Sequence, residues 1–297
     1  MSNVDIEVAL RRVGREVDAL MEGAIPKSVG REGRLLDAMR YAALGGGKRL
    51  RPFLVVSSAE LFGVARHRAL RVAAAVEIVH CYSLIHDDLP CMDDDDLRRG
   101  RPTTHVQFDE ATAVLAGDAL LTLAFEVISH ADTHELGEVR AELVHRLALA
   151  SGGLGMAGGQ MIDLLGERQR LEPAEIIRME AMKTGALIAF SCEAGAILGR
   201  AASGARTALH GYAHDLGLAY QIIDDWLDIA GDPAVVGKRL HKDAHAGKAT
   251  LIGVLGIDRA REHAEMLAGQ AIRHLQPFGE EAALLRAVAD FVVKRTA

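Results

Sequence analysis

Apolar residues recur at helical spacing along almost the whole of this chain. Nowhere do they alternate with polar residues in the period of two that a half-buried strand requires. Such helical runs cover about 4–22, 31–44, 52–62, 66–88, 109–130, 135–150 and 153–165, then 173–199, 205–229, 247–256, 258–275 and 279–294. Pro26 and the triplet Gly45-Gly46-Gly47 punctuate the first two. Aromatics make up only 4% of the residues, while Ala and Leu abound, which favours helices over sheets. At 297 residues, with no internal repeat or low-complexity linker, residues 1–297 are expected to form a single all-α domain. The expected unstructured joints are about 89–105 and 231–246, each just after an acidic cluster.

Those clusters carry the chemistry. Six aspartates fall within residues 87–96, and Arg98 and Arg99 follow at once. Like charge at that density is costly unless something positive sits among it. A second cluster, Asp224-Asp225-Trp226-Leu227-Asp228, lies far along the chain. Two separated carboxylate groups suggest a cage for several hard divalent cations and a phosphate-bearing substrate. On a helix, Gln221, Asp224 and Asp228 share one face at i, i+3 and i+7, with Asp225 about 100° away from Asp224. His80 and Asp87 likewise share a face, and Pro90 ends that helix so that Asp93 folds back beside Asp87. For Asp94, Asp95 and Asp96 two readings stay open: ligation, or pairing with the arginines. Cations gather elsewhere, in Gly45-Gly46-Gly47-Lys48-Arg49-Leu50-Arg51, in Lys183-Thr184-Gly185 and in the basic loop from Gly237 to Thr250. A glycine turn with cations at a helix start makes an anion site, although no nucleotide P-loop pattern is present.

Composition removes several function classes. A formal net charge of −7 argues against nucleic-acid binding. Cys81, Cys91 and Cys192 lack metal-ligand spacing and are read as reduced thiols of a cytoplasmic protein. No signal peptide is evident after Met1, and Glu77, His80 and Glu193 break the longest apolar stretches, so no membrane span is expected. The 13 histidines include no pair in a zinc-binding context.

Read in order, these segments resemble the trans-isoprenyl diphosphate synthases, the polyprenyl synthetase family. The resemblance rests on Gly46-Gly47-Lys48-Arg49-Leu50-Arg51-Pro52, Asp87-Asp88-Leu89-Pro90-Cys91-Met92-Asp93, Arg98-Arg99-Gly100-Arg101-Pro102-Thr103 and Gly117-Asp118-Ala119-Leu120. Gly158-Gly159-Gln160, Lys183-Thr184, Gln221-Ile222-Ile223-Asp224-Asp225 and Lys238 extend it over most of the chain. It implies a helical bundle around a deep central cavity, a homodimer, and three Mg²⁺ ions, with Mn²⁺ as a substitute. Asp87, Asp93 and Asp224 match the metal ligands, with Asp88 and Asp228 assisting directly or through water. Lys48, Arg51, His80 and Arg99 match the isopentenyl diphosphate pocket. Arg98, Lys183, Lys238 and Lys248 match contacts to the allylic diphosphate, and Thr184 and Gln221 line the reacting centre. The implied reaction lengthens an allylic diphosphate (dimethylallyl, geranyl) by five carbons, most like the bacterial farnesyl diphosphate synthases.

One departure stands out. The family's loop after the second motif reads Gly-Lys-x-x-Gly-x-Asp, where this chain has His241-Lys242-Asp243, and the usual later proline is missing. Tyr82, about 1.4 turns before Asp87, with Ser83 beside it, lies near one wall of the implied cavity; an aromatic there resembles the farnesyl-producing type, which implies a stop at 15 carbons. The alternatives are a geranylgeranyl diphosphate synthase and a non-catalytic subunit of a heteromeric synthase. That subunit would be expected to lose an acidic cluster. A terpene cyclase would not need the second anion site, and a helical metal-binding scaffold leaves the ordered cations unexplained.

Overall fold

The computed structural model describes residues 5–27, 30–166, 169, 171–230 and 251–295. The first four helices are α1 (Ile6–Ala24), α2 (Gly33–Ala43), α3 (Leu50–Glu60) and α4 (Arg66–Asp87). A two-residue hairpin, β1 (Leu97–Arg98) with β2 (Arg101–Pro102), leads into α5 (Thr104–Gln107) and α6 (Glu110–Ser129). Then follow α7 (Gly137–Ser151), α8 (Met156–Gly166), α9 (Pro173–Glu180), a π-turn (Ala181–Gly185) and α10 (Ala186–Leu198). The chain closes with α11 (Ser203–Ala230), α12 (Leu251–Leu255), α13 (Ile257–His274) and α14 (Ala283–Lys294).

Burial follows the sequence pattern. In α1 the Asp5 side chain accepts from the Val8 N–H at 3.1 Å and starts the helix, and Leu10, Val13, Gly14, Val17 and Met21 form its buried stripe. Helix α10 is apolar nearly all round, and α4 is so between Val72 and Val79 apart from Glu77; both stretches are interior. Helix α4 packs on α1, α2, α3, α6 and α10. Gly195 of α10 lies against α3, where a Cβ would come within 2.3 Å of the Ala59 nitrogen. The buried apolar side chains form one continuous cluster.

The stretch 89–105, expected to be an unstructured joint, is ordered by backbone hydrogen bonds and by the small hairpin. Strands of two residues are too short to show alternation, so no pattern announced them. The run read as one helix over 173–199 is interrupted by the π-turn. The joint at 231–246 lies outside the described residues. A further correction concerns apolar length. Three stretches, Arg66–Asp87, Glu110–Ser129 and Pro173–Leu198, are long and apolar enough to cross a membrane by those criteria alone. Each packs within the bundle, where that apolarity meets other helices.

Arg49 ties the first four helices together. It is 3% exposed, in the left-handed region at φ 51°, and it donates to Glu77 at 2.6 Å, Asp18 at 2.9 Å and the Ala43 carbonyl at 2.9 Å. Glu77 is buried as well. Replacing Arg49 with Met is expected to destabilise the fold by about 3–5 kcal/mol, because Glu77 would be left as an uncompensated buried charge. Urea unfolding checks this, and Arg49→Met with Glu77→Leu should recover most of the loss.

Candidate active site

Helix α4 delivers the first acidic motif at its C-terminal end. Past Asp88 the chain turns back: the Asp93 N–H donates to the Asp87 carbonyl at 2.8 Å, and the Asp95 N–H to the Asp88 carbonyl at 3.2 Å. Asp93 therefore returns beside Asp87, as the proline spacing predicts. The Asp87 carboxyl is pushed up to about 6, foremost by burial; Asp93 and Asp88 raise it further, while Lys183 and Arg98 oppose the shift.

Asp88 is placed differently from Asp87. It is 3% exposed, and Arg98 grips its carboxylate in a fork, Nη2 at 2.6 Å and Nε at 2.8 Å from Oδ1. Arg98 also lies 3.9 Å from Asp95. Asp88 and Arg98 thus neutralise one another, where the sequence put one on metal and the other on diphosphate. For Asp95 the geometry favours pairing with the arginine.

A cationic cluster lies along α4 from these carboxylates. His80 is driven well below the ordinary histidine range, first by burial and then by Arg51, Arg99, Arg98 and Arg49 around it, so it is neutral. Arg99 adopts φ 53° and donates to the Gly46 carbonyl. Gly47, at φ 133°, lies so close that a Cβ would meet the Arg99 guanidinium at 2.6 Å. The Arg51 Nε is buried and has no hydrogen-bond partner, a donor waiting for an acceptor. Lys48 begins the same turn. Of the three adjacent cations, Arg49 belongs to the fold and Arg51 to this cluster, a division their sequence positions do not reveal.

The facing side comes from α8, the π-turn and α11. Lys183 Nζ lies 2.5 Å from Asp163, the Thr184 hydroxyl donates to Gln221 Oε1 at 2.9 Å, and Gln221 Nε2 donates to Asp225 at 2.8 Å. The widened turn sets Lys183 and Thr184 toward these partners, a common use of π-turns at sites. Gly159 makes room for it, since a Cβ there would come within 2.3 Å of the Lys183 nitrogen. Gln221 consequently pairs with Asp225, buried at 5%, and not with the Asp224 face that the i, i+3, i+7 spacing singled out. Asp224 lies 3.2 Å from Arg295, and Asp228 is 3% exposed.

Asp163, Glu180 and Arg295 escaped the sequence reading. Asp163 had a faint signal, one turn beyond Gly158-Gly159-Gln160. Glu180 is 4% exposed, and its carboxyl is pushed up to about 9 by burial and then by Asp225 and Asp163, against an N–H from Leu251. Tyr82 is half-buried and meets the His86 ring edge-on at 5.8 Å, while the Ser83 hydroxyl bonds back to the His80 carbonyl at 2.9 Å. Lys238 and Lys248 lie outside the described residues. Among the described residues no three of His, Cys, Asp and Glu converge to hold an ion by themselves. The donors are all hard carboxylate oxygens, and Asp87 is half-buried beside like charge. This set fits a divalent ion that takes its remaining ligands from substrate oxygens.

The family model described as "Polyprenyl synthetase" matches residues 32–290. The chain belongs to that family. This polyprenyl synthetase is 46% identical to the "Farnesyl diphosphate synthase" of Escherichia coli (strain K12) over 88% of this chain and 89% of that one. It is 43% identical to the chloroplastic "Geranylgeranyl pyrophosphate synthase" of Catharanthus roseus over 88% of this chain and 74% of that one. Among solved structures, an apo FPP/GFPP synthase from Zymomonas mobilis superposes with a TM-score of 0.89 at 48% identity, covering 98% of this chain and 99% of that one. The all-α isoprenoid synthase fold of this polyprenyl synthetase agrees with its helical sequence pattern.

Proposed function

We propose that this chain is a prenyltransferase that condenses isopentenyl diphosphate with dimethylallyl or geranyl diphosphate and ends at all-trans farnesyl diphosphate. The observation that carries the reading is the split of charge along α4. A cationic cluster with an unpartnered Arg51 donor suits one diphosphate, and the half-buried Asp87 carboxylate near Lys183 suits a second, metal-bound one. Asp87, Asp93, Asp224 and Asp228 would hold Mg²⁺, three ions in all, with Mn²⁺ as a substitute and Asp88 in support through Arg98. When bound, Mg²⁺ neutralises diphosphate charge and makes the group a better leaving group.

The protein's own part follows from its chemistry. The allylic C–O bond breaks with its electron pair leaving on the diphosphate oxygen, where Lys183 and the loop cations Lys238 and Lys248 bear on the developing charge. The π electrons of isopentenyl diphosphate, held by Lys48, Arg51, His80 and Arg99, form the new C–C bond. A proton then leaves the condensed cation for the departed diphosphate. Thr184 and Gln221, bonded to one another, would line the reacting centre, and the apolar walls would exclude water. Tyr82 stops growth at 15 carbons, and a 20-carbon product is the alternative should that stop be loose. Incubation with isopentenyl diphosphate, each allylic starter and Mg²⁺, then chromatography of the hydrolysed products, tests the reading. Absence of any elongation would defeat it.

The same reading includes one domain across 1–297, a cytoplasmic setting, which fits three unpaired cysteines, and a homodimer. The dimer is supported by apolar side chains that face out: Val114 and Leu115 on α6, Leu149 on α7, Leu154 and Met161, with Leu154 82% exposed. Light scattering should report a dimer, and Leu115→Glu with Leu154→Glu should yield monomer. A monomer in the unaltered protein would sink this part.

A further inference from the structure

We propose that His86 is a positioning residue for product length, pinned to α6 so that its ring holds Tyr82 in the tail's path. This rests on the reading of Tyr82 as the stop. His86 is one turn past Tyr82 on α4, immediately before the first acidic motif. Its Nε2 lies 3.1 Å from the Val114 carbonyl of α6. A carbonyl only accepts, so Nε2 carries the proton and donates. Gly117 receives the ring, for a Cβ at that position would lie 2.1 Å from Nε2 and 2.5 Å from the neighbouring ring carbon. Any other residue at 117 would expel the imidazole or push α4 from α6.

Pinned in this way, the imidazole presents itself edge-on to the Tyr82 ring, at 5.8 Å between centroids and 79° between planes. Tyr82 is half-buried, so packing holds its ring only in part and the edge contact from His86 adds to that hold. A stop that admits a 15-carbon tail and rejects one five carbons longer has to stay put, because apolar discrimination is shallow. A phenol free to swing toward α6 would leak longer product. Gly117 and His86 therefore act together: the glycine notch seats the histidine, and the histidine braces the tyrosine.

The test compares His86→Ala, His86→Gln, Gly117→Ala and Tyr82→Ala with the unaltered enzyme, given isopentenyl and geranyl diphosphates and Mg²⁺. His86→Ala should raise the ratio of 20-carbon to 15-carbon product about tenfold, the scale on which apolar pockets discriminate. Gly117→Ala should act in the same direction, and His86→Gln, which keeps the donor but loses the ring, should fall between. Only 15-carbon product from His86→Ala, beside longer product from Tyr82→Ala, would overturn the role of His86 and leave Tyr82 as the stop. Unchanged length in both would overturn the Tyr82 reading as well. Should His86→Ala lack turnover, 3-fluorotyrosine incorporation decides without it. The chain has 4 tyrosines, so the Tyr82 resonance can be assigned by substitution. That resonance should shift and broaden in His86→Ala, and an unmoved line would overturn the proposal.

Discussion

Replacing Asp87 with Asn is expected to lower kcat/KM by about 10³, the scale on which one lost charge-stabilising group registers, while making the protein without ligands more stable. The opposite signs come from one cause. The Asp87 carboxyl is pushed up to about 6 by burial and by the carboxylates of Asp93 and Asp88. Its charge is thus a burden on the fold, one that the proposed cation and diphosphate would relieve. Asn keeps the shape and removes the burden, so unfolding by urea at pH 8 should show a gain of up to about 3 kcal/mol, converting the shift at 1.36 kcal/mol per unit. A residue that mattered only to the fold would lose stability and activity together. A loss of both would count against Asp87 as a ligand.

The pH dependence has a definite sign. A carboxyl whose folded pKa lies above its ordinary 3.8 holds its proton more tightly in the folded chain. The folded state then binds more protons than the unfolded one between about pH 4 and 6, and stability falls as pH rises through that window. Glu180, at about 9, continues the decline toward alkaline pH. In the Asp87→Asn protein the fall between pH 4 and 6 should flatten, and in Glu180→Gln the alkaline part should. Under the proposed role of Asp87 as a metal ligand, activity runs the other way: the carboxyl would have to lose its proton to take a cation, so the acid limb of the rate profile should turn near pH 6.

How far the site could be read beforehand depended on whether function resided in adjacent residues or in packing. Asp87, Asp93 and their return past Pro90 were legible because a run of like charge and a helix-breaking proline are local statements. The long helices were legible for the same reason. Arg49 and Arg51 look alike in a basic run, and only the pairing of the first with buried Glu77 and with Asp18 assigns it to the fold. The π-turn left no mark in an apolar stretch starting at Pro173. Asp163 and Glu180 become functional neighbours only because Gly159 lets α8 meet that turn. Arg295 reaches Asp224 from 71 residues away, a distance no spacing rule spans.

Removing the amine of Lys183 should be the second large effect. Lys183→Met is expected to cut kcat by about 10²–10³, as loss of one preorganised charge partner does, and to move the acid limb of the profile upward. Lys183 lies 2.5 Å from Asp163, whose side chain is 8% exposed, and it is also the foremost influence that lowers Asp87 against burial. Without it, the buried Asp163 is left without its ammonium partner near Glu180, and Asp87 should hold its proton to higher pH. Stability should drop by about 2–4 kcal/mol, less than for a fully buried pair because Lys183 is partly exposed. Pairing Lys183→Met with Asp163→Asn separates the two roles. The double variant should regain most of the lost stability, since no unpaired charge remains, yet stay slow, since under the proposed reading nothing cationic would face the allylic diphosphate from the π-turn. Recovery of kcat in the double variant would mean that Lys183 serves only to neutralise Asp163, and the diphosphate site would have to be drawn without it.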